Sequence, residues 1–181
     1  TASADFLLKD SIVRGYPDED GILDLHLPVG AWKVSVADIG REGEELSLEI
    51  KDGQSLEKSI SMDEQSGIRF SVKKEDGSTT PCKVQFIGLE GTPNPKLGPG
   101  DRAHGCKDQY HSEKGNFSVA LNPGKYKLIM TRGIEHDHVE KTMVVPVGNY
   151  VDFEATLKRS VMTPGWVSTD FHNHSTPSGD N

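Results

Sequence analysis

The chain has 181 residues, with 20 Lys and Arg against 28 Asp and Glu, a formal charge of −8 and a pI near 5.3. That acidic balance excludes a general nucleic-acid or anionic-membrane binder, which needs a basic surface to displace counterions. No apolar stretch reaches the roughly 20 residues of a membrane helix, and residues 1–20 lack the order of a signal peptide. Hydrophobic residues make up only 34%, with 19 Gly and 10 Pro. They fall in short regular groups, which points to small folded β domains rather than disorder.

In chain order, the pattern is strand alternation nearly throughout. The stretch from Asp5 to Val13 precedes a first repeat core, in which Leu23, Leu25 and Leu27 alternate with Asp24 and His26. Pro28, Val29 and Gly30 then turn the chain before Trp32 and Val34. Leu46, Leu48 and Ile50 alternate ahead of Gly53. Ile68, Phe70 and Val72 form a further strand, residues 83–89 another, and Phe117, Val119 and Leu121 a third. Tyr126, Leu128 and Met130 follow a turn at Asn122, Pro123 and Gly124. Each set lines one face of a sheet, and the interleaved polar residues face water.

These elements repeat. Residues 21–34 lie over residues 115–128, with Gly21 on Gly115, Leu25 on Val119, Gly30 on Gly124 and Trp32 on Tyr126. Downstream, Leu46, Leu48 and Ile50 before Gly53 answer Lys141, Met143 and Val145 before Gly148. The second copy has an opening strand at Ile68–Phe70–Val72 that the first lacks, so the first copy's opening strand is expected upstream of Thr1, or to be absent. The expected organisation is a module over residues 1–64, abbreviated, a second over 65–160 with a long loop at 91–114, and a third region over 161–181. The boundary between modules falls near residues 63–66. The expected fold class is all-β: two tandem antiparallel sandwiches and an extended tail.

Both copies resemble carboxypeptidase regulatory-like modules, whose prealbumin-like β-sandwich the resemblance implies. Residues 166–181 break the β pattern. His172-x-His174 on an extended segment puts both imidazoles on one face, and Asp170 keeps the same parity, so three candidate metal ligands converge. This tail is similar to the opening motif of the polymerase-and-histidinol-phosphatase (PHP) superfamily of metallohydrolases, which has His-x-His followed by Ser-Asp-Gly; here the order is Ser178, Gly179, Asp180. The preceding Gly165, Trp166, Val167, Ser168, Thr169, Asp170 and Phe171 most resemble its CehA/McbA-like branch, as do residues 132–136 and 104–106. The resemblance implies that His172 and His174 are ligands of a divalent metal (Zn or Mn) and that the parent protein hydrolyses a phosphoester or similar bond. The barrel's other ligands are not in this chain, so the chain alone is expected to be inactive and to hold no metal stably. Its expected partner is its own C-terminal catalytic domain. The competing expectation is a stand-alone module that binds glycan or protein.

Three further groups carry candidate chemistry. The loop at 91–114 holds His104, Cys106, Asp108 and His111 in spacings that match no standard zinc pattern. Such loops are usually functional or disordered, and docking or a disulfide fits this one better than a metal. Cys82 and Cys106 either make one bridge in an oxidising compartment or stand as two thiols. His136 and His138 share parity beside Glu135 and Glu140, but a solvated strand entrance explains them as well. Asp18, Glu19, Asp20 and Gly21 lack the ligand spacing of a calcium loop and are read as an acidic turn. Trp32, Tyr126 and Tyr150 suggest a sugar-stacking platform, though the parity of the first two favours packing. The expected setting is extracellular or periplasmic.

Overall fold

In the computed structural model, the structure describes residues 2–8, 11–41, 43–100, 104–167, 169 and 171. The protein is all-β, with no helix among the described residues. Strand β1 (Ser3–Leu8) and strand β2 (Ser11–Gly15) form a hairpin, dividing the Asp5-to-Val13 stretch in two. With β3 (Gly30–Ala37) and β4 (Glu44–Ile50) they make one antiparallel sheet in the order β2-β1-β3-β4. Alternation buries Trp32 and Val34 on β3 while Ala31, Lys33 and Ser35 are exposed. Asp5 and Arg14 pair directly across β1 and β2, with a two-pronged ion pair at 2.6 Å.

The remaining strands form a sandwich. Strands β5 (Gly67–Lys73), β6 (Cys82–Leu89), β7 (Gln109–Ser112), β8 (Asn116–Ala120), β9 (Gly124–Thr131), β10 (Val139–Val145) and β11 (Tyr150–Thr156) divide between two sheets, ordered β10-β9-β6-β7 and β11-β5-β8. Their inner faces meet in a core of Ile68, Phe70, Val72, Val84, Phe86, Val119, Leu128, Met130 and Phe153. Phe70 stands at its centre, stacked on Phe117 with ring centroids 4.6 Å apart and tilted against Phe153 at 5.4 Å. Each fully buried large side chain contributes about 1.5–3 kcal/mol through the area it removes from water. The sheets are antiparallel, as expected, except at one pairing: β11 runs parallel to β5. After β10 the chain turns at Gly148 and crosses from one sheet to the other, so it enters the second sheet in the direction of β5.

The repeat is reproduced in the ladders. Trp32 lies opposite Leu48 and Val34 opposite Leu46, as Tyr126 lies opposite Met143 and Leu128 opposite Lys141. Equivalent glycines share a left-handed backbone that side chains disfavour: φ is 79° at Gly21 and 75° at Gly115, 66° at Gly53 and 65° at Gly148. One part of the repeat differs. Residues 22–27 keep the alternation of β8 but form no strand: β8 pairs with β5, and among the described residues no counterpart of β5 stands beside residues 22–27.

The two sets of strands meet at Ser66. Its N–H donates to Gly40 O at 2.6 Å, its carbonyl accepts from Leu121 N at 3.1 Å, and its hydroxyl accepts from Gly148 N at 2.8 Å. Asn122 Oδ1 accepts from Gly40 N at 2.9 Å, and the Gln65 side chain bridges Ile39 O and the Tyr150 hydroxyl.

Candidate functional site

The loop at 91–114 is organised by its own backbone. Cys106 and Gln109 exchange two hydrogen bonds at 2.8 Å, which closes a tight return and starts β7. Leu97 N donates to Lys107 O and Lys107 N to Gly98 O, drawing the first half of the loop onto the second. Phe86 N donates to Asp108 O at 2.9 Å, which fastens the loop to β6. The Tyr110 ring stacks on Phe117, extending the aromatic column of the core to the loop.

This folding separates the loop's candidate ligands. Asp108 accepts from the Gln85 amide at 3.1 Å, and the Cys106 thiol lies 3.3 Å from Gly100 O. His104 and His111 are brought together, with ring centroids 6.2 Å apart. The contact runs from ring to backbone, however: His104 Nδ1 lies 2.7 Å from His111 O, and a carbonyl only accepts, so Nδ1 carries the proton. His104 Nε2 is 3.9 Å from Glu113. Among the described residues, no group of three or more His, Cys, Asp or Glu is placed to hold a metal ion. Cys82 and Cys106 are free thiols. Cys82 is buried in the core, and burial pushes its thiol up to about 11.

The second histidine cluster serves the chain's exit from the sandwich. His138 lies 3.7 Å from Glu140, which also pairs with Lys127 at 2.7 Å. His136 bridges in backbone register to Arg159. Beside it, Glu135 accepts from both Arg159 at 2.7 Å and the Thr163 hydroxyl, and Arg159 also donates to Thr163 at 2.7 Å. Those two partners, Thr163 first, hold the Glu135 carboxyl below its ordinary 4.5. This three-residue clamp fixes residues 159–163 against the entrance to β10. Spacing could not have revealed it, because Glu135 lies 24 and 28 positions from its partners.

Around and beyond the clamp the chain presents apolar side chains to water. Ile134 is 95% exposed, Trp166 82% and Phe171 94%, and Met162 and Val167 are also open. Asp170, His172 and His174, which the sequence singles out as metal ligands, lie outside the described residues.

Two other readings settle on structure. Asp18 forms a turn, its carboxylate accepting from Asp20 N and Ile22 N, as the acidic-turn reading expects. Trp32 and Tyr126 are 2% and 1% exposed, so they pack rather than offer a sugar platform. Tyr150 is half-buried, its ring 5.3 Å from the Arg69 guanidinium. A cleft at the sheet junction is lined by Arg41, Asp63, Glu64, Asn122 and Val147, and Arg41 Nε lies 3.4 Å from the Asp38 carboxylate.

No helix among the described residues is long and apolar enough to cross a membrane. No family model matches the chain, and no curated protein matches it. A solved structure described as the Bacillus anthracis TIE protein is similar over 87% of this chain and 30% of its own length, at 14% identity and a TM-score of 0.39.

Proposed function

We propose that this chain is the non-catalytic β front of a PHP-type, CehA/McbA-like metal-dependent hydrolase, and that its exit segment seats the catalytic domain. The observation that supports this reading is the run of exposed apolar residues, Trp166, Val167 and Phe171, immediately ahead of His172-x-His174. Large apolar side chains in water mark a surface that another domain covers. The Glu135–Arg159–Thr163 clamp gives that segment a fixed point of departure.

Asp170, His172 and His174 supply two imidazoles and a carboxylate, a donor set suited to Zn or Mn. A metal held there would activate water for attack on a phosphoester. The carboxypeptidase regulatory-like identity of the β repeats and an extracellular or periplasmic setting belong to the same proposal.

The reading frame after Asn181 tests it. Further His, Asp and Glu motifs on β/α spacing are expected, whereas a stop or another sandwich favours a stand-alone glycan- or protein-binding module. Calorimetry on the chain with zinc or manganese chloride tests the ligand set. The chain alone is expected to hold no metal stably, and the full-length protein to bind one that His172→Ala and His174→Ala remove; a midpoint weaker than roughly millimolar, about −4 kcal/mol, in the full-length protein counts against a metal role.

A further inference from the structure

The loop at 91–114 holds a cleft of about 600 Å³, a size in the range of small-molecule sites. Both of its limbs are tied to β6. Gly88 N donates to Asn94 Oδ1 at 2.9 Å on one side, and Phe86 N donates to Asp108 O at 2.9 Å on the other. Leu97, between them, packs against the core. The cleft is therefore preformed on the sandwich rather than moulded from a free loop.

Two ammonium groups line it. Lys96 stands on the first limb and Lys107 on the second. Leu97 N donates to Lys107 O at 2.7 Å and Lys107 N to Gly98 O at 2.9 Å, which holds the limbs together. The end of Lys107 lies over Gly100, where an added Cβ would come within 3.0 Å of Cε and 3.6 Å of Nζ. Neighbouring lysines of this acidic protein are neutralised, Lys125 by Glu90 and Lys127 by Glu140. Among the described residues, Lys96 and Lys107 form no ion pair. Asp108, the carboxylate in the cleft wall, accepts from the Gln85 amide at 3.1 Å.

The backbone is a second, independent sign. Among the described residues, Glu90 and Lys107 alone combine a side chain with a positive φ, 52° and 50°. Glu90 has a local reason, since it sits in the turn closed by Thr92 N and Leu89 O at 3.0 Å and its carboxylate pairs with Lys125. The Lys107 ammonium has no such partner among the described residues. Glycine would hold the same turn with less strain, and strain kept at a side chain that lines a cleft points to a use for that side chain.

We infer that this cleft binds an oxyanion, the phosphate or carboxylate of a small polar molecule, between the Lys96 and Lys107 ammonium groups. Lysines act as movable point charges rather than as the planar fork of arginine, so they accept either oxyanion shape. Asn94, whose Oδ1 is taken by Gly88 N, keeps its amide donors for the same ligand, and Asp108 keeps an oxygen for a ligand hydroxyl. The site is independent of the proposed hydrolase role.

Calorimetry on this chain at low salt tests it, with inorganic phosphate, glycerophosphate and glucuronate as probes and glucose as the neutral control. At least one of the anions is expected to bind with a Kd of about 1 mM or tighter, and glucose is expected not to bind. Lys96→Ala and Lys107→Ala are each expected to weaken the anion by about tenfold. Lys107→Gly is expected to lose binding equally while its urea midpoint stays at or above that of the parent, because the left-handed backbone is relieved. The stronger of the phosphate and carboxylate probes identifies the oxyanion. Three results overturn the inference: no binding of any anion by about 10 mM, anion binding that survives Lys107→Gly or the double alanine variant, and glucose binding as tightly as the anions.

Discussion

Trp32 and Tyr126 make the same hydrogen bond: the indole N–H donates to Pro28 O at 2.9 Å and the phenol hydroxyl to Asn122 O at 2.9 Å. Each ring fills the start of a return strand, and its polar tip ties down the turn that precedes it. Tyr126→Phe is expected to cost about 1 kcal/mol through the lost bond, and Tyr126→Ala about 3–5 kcal/mol through the cavity. Urea midpoints measure both, and a midpoint unmoved by Tyr126→Phe would deny the bond any weight. Burial also raises the Tyr126 phenol above its ordinary 10. The raised value contributes stability below pH 10 that is lost as pH climbs through the folded value. Tyr126→Phe is expected to remove part of that alkaline loss.

The two thiols differ in access. Cys82 is buried with its thiol held near 11, whereas Cys106 is half-exposed on the loop. An aromatic disulfide reagent at pH 8 is expected to titrate one thiol in the native protein at once and the second only on the timescale of unfolding, because the thiolate is the reactive form. Release of both thiols only after reduction would instead establish the Cys82–Cys106 bridge.

The alternation of Phe117 and Val119 is legible as a strand, and so is that of Leu23 and Leu25, yet only the first becomes one. Periodicity records which face is buried, while a ladder needs a neighbour that periodicity does not name. The parallel partnership of β11 with β5 was hidden for the same reason. β7 escaped notice because four residues, Gln109–Ser112, are too few to show a period. Of the loop's candidate ligands, the sequence marked His104 and His111 as neighbours in chemistry. The fold brings them together through a backbone carbonyl, which no side-chain spacing encodes.

Gly40 and Gly53 both sit at positive φ, 82° and 66°, but in different surroundings. A Cβ on Gly40 would lie 2.4 Å from Ser66 O, whereas one on Gly53 meets nothing within 4 Å. Gly53→Ala is expected to cost about 1–2 kcal/mol of backbone strain alone. Gly40→Ala adds overpacking of about 1–3 kcal/mol and breaks the Ser66 relay, so exchange at the Ser66 and Leu121 amides is expected to accelerate. Equal melting losses for the two variants would show that the junction at Ser66 is loose.

The Glu135 clamp is expected to open in acid. Thr163 and Arg159 depress the Glu135 carboxyl below its ordinary 4.5. A depressed acid contributes stability above the unfolded value, and that contribution is lost as pH falls from about 4.5 through the folded value. Trp166, whose N–H donates to Thr163 O at 3.2 Å, reports the event, while Trp32 remains buried. Fluorescence anisotropy is expected to fall below pH 4.5 while far-ultraviolet circular dichroism is unchanged. Glu135→Gln is expected to show the lower anisotropy already at pH 7, because the neutral amide no longer pairs with Arg159. If anisotropy instead falls only together with the β signal, in both proteins, the exit segment is held by the sandwich as a whole rather than by this carboxylate.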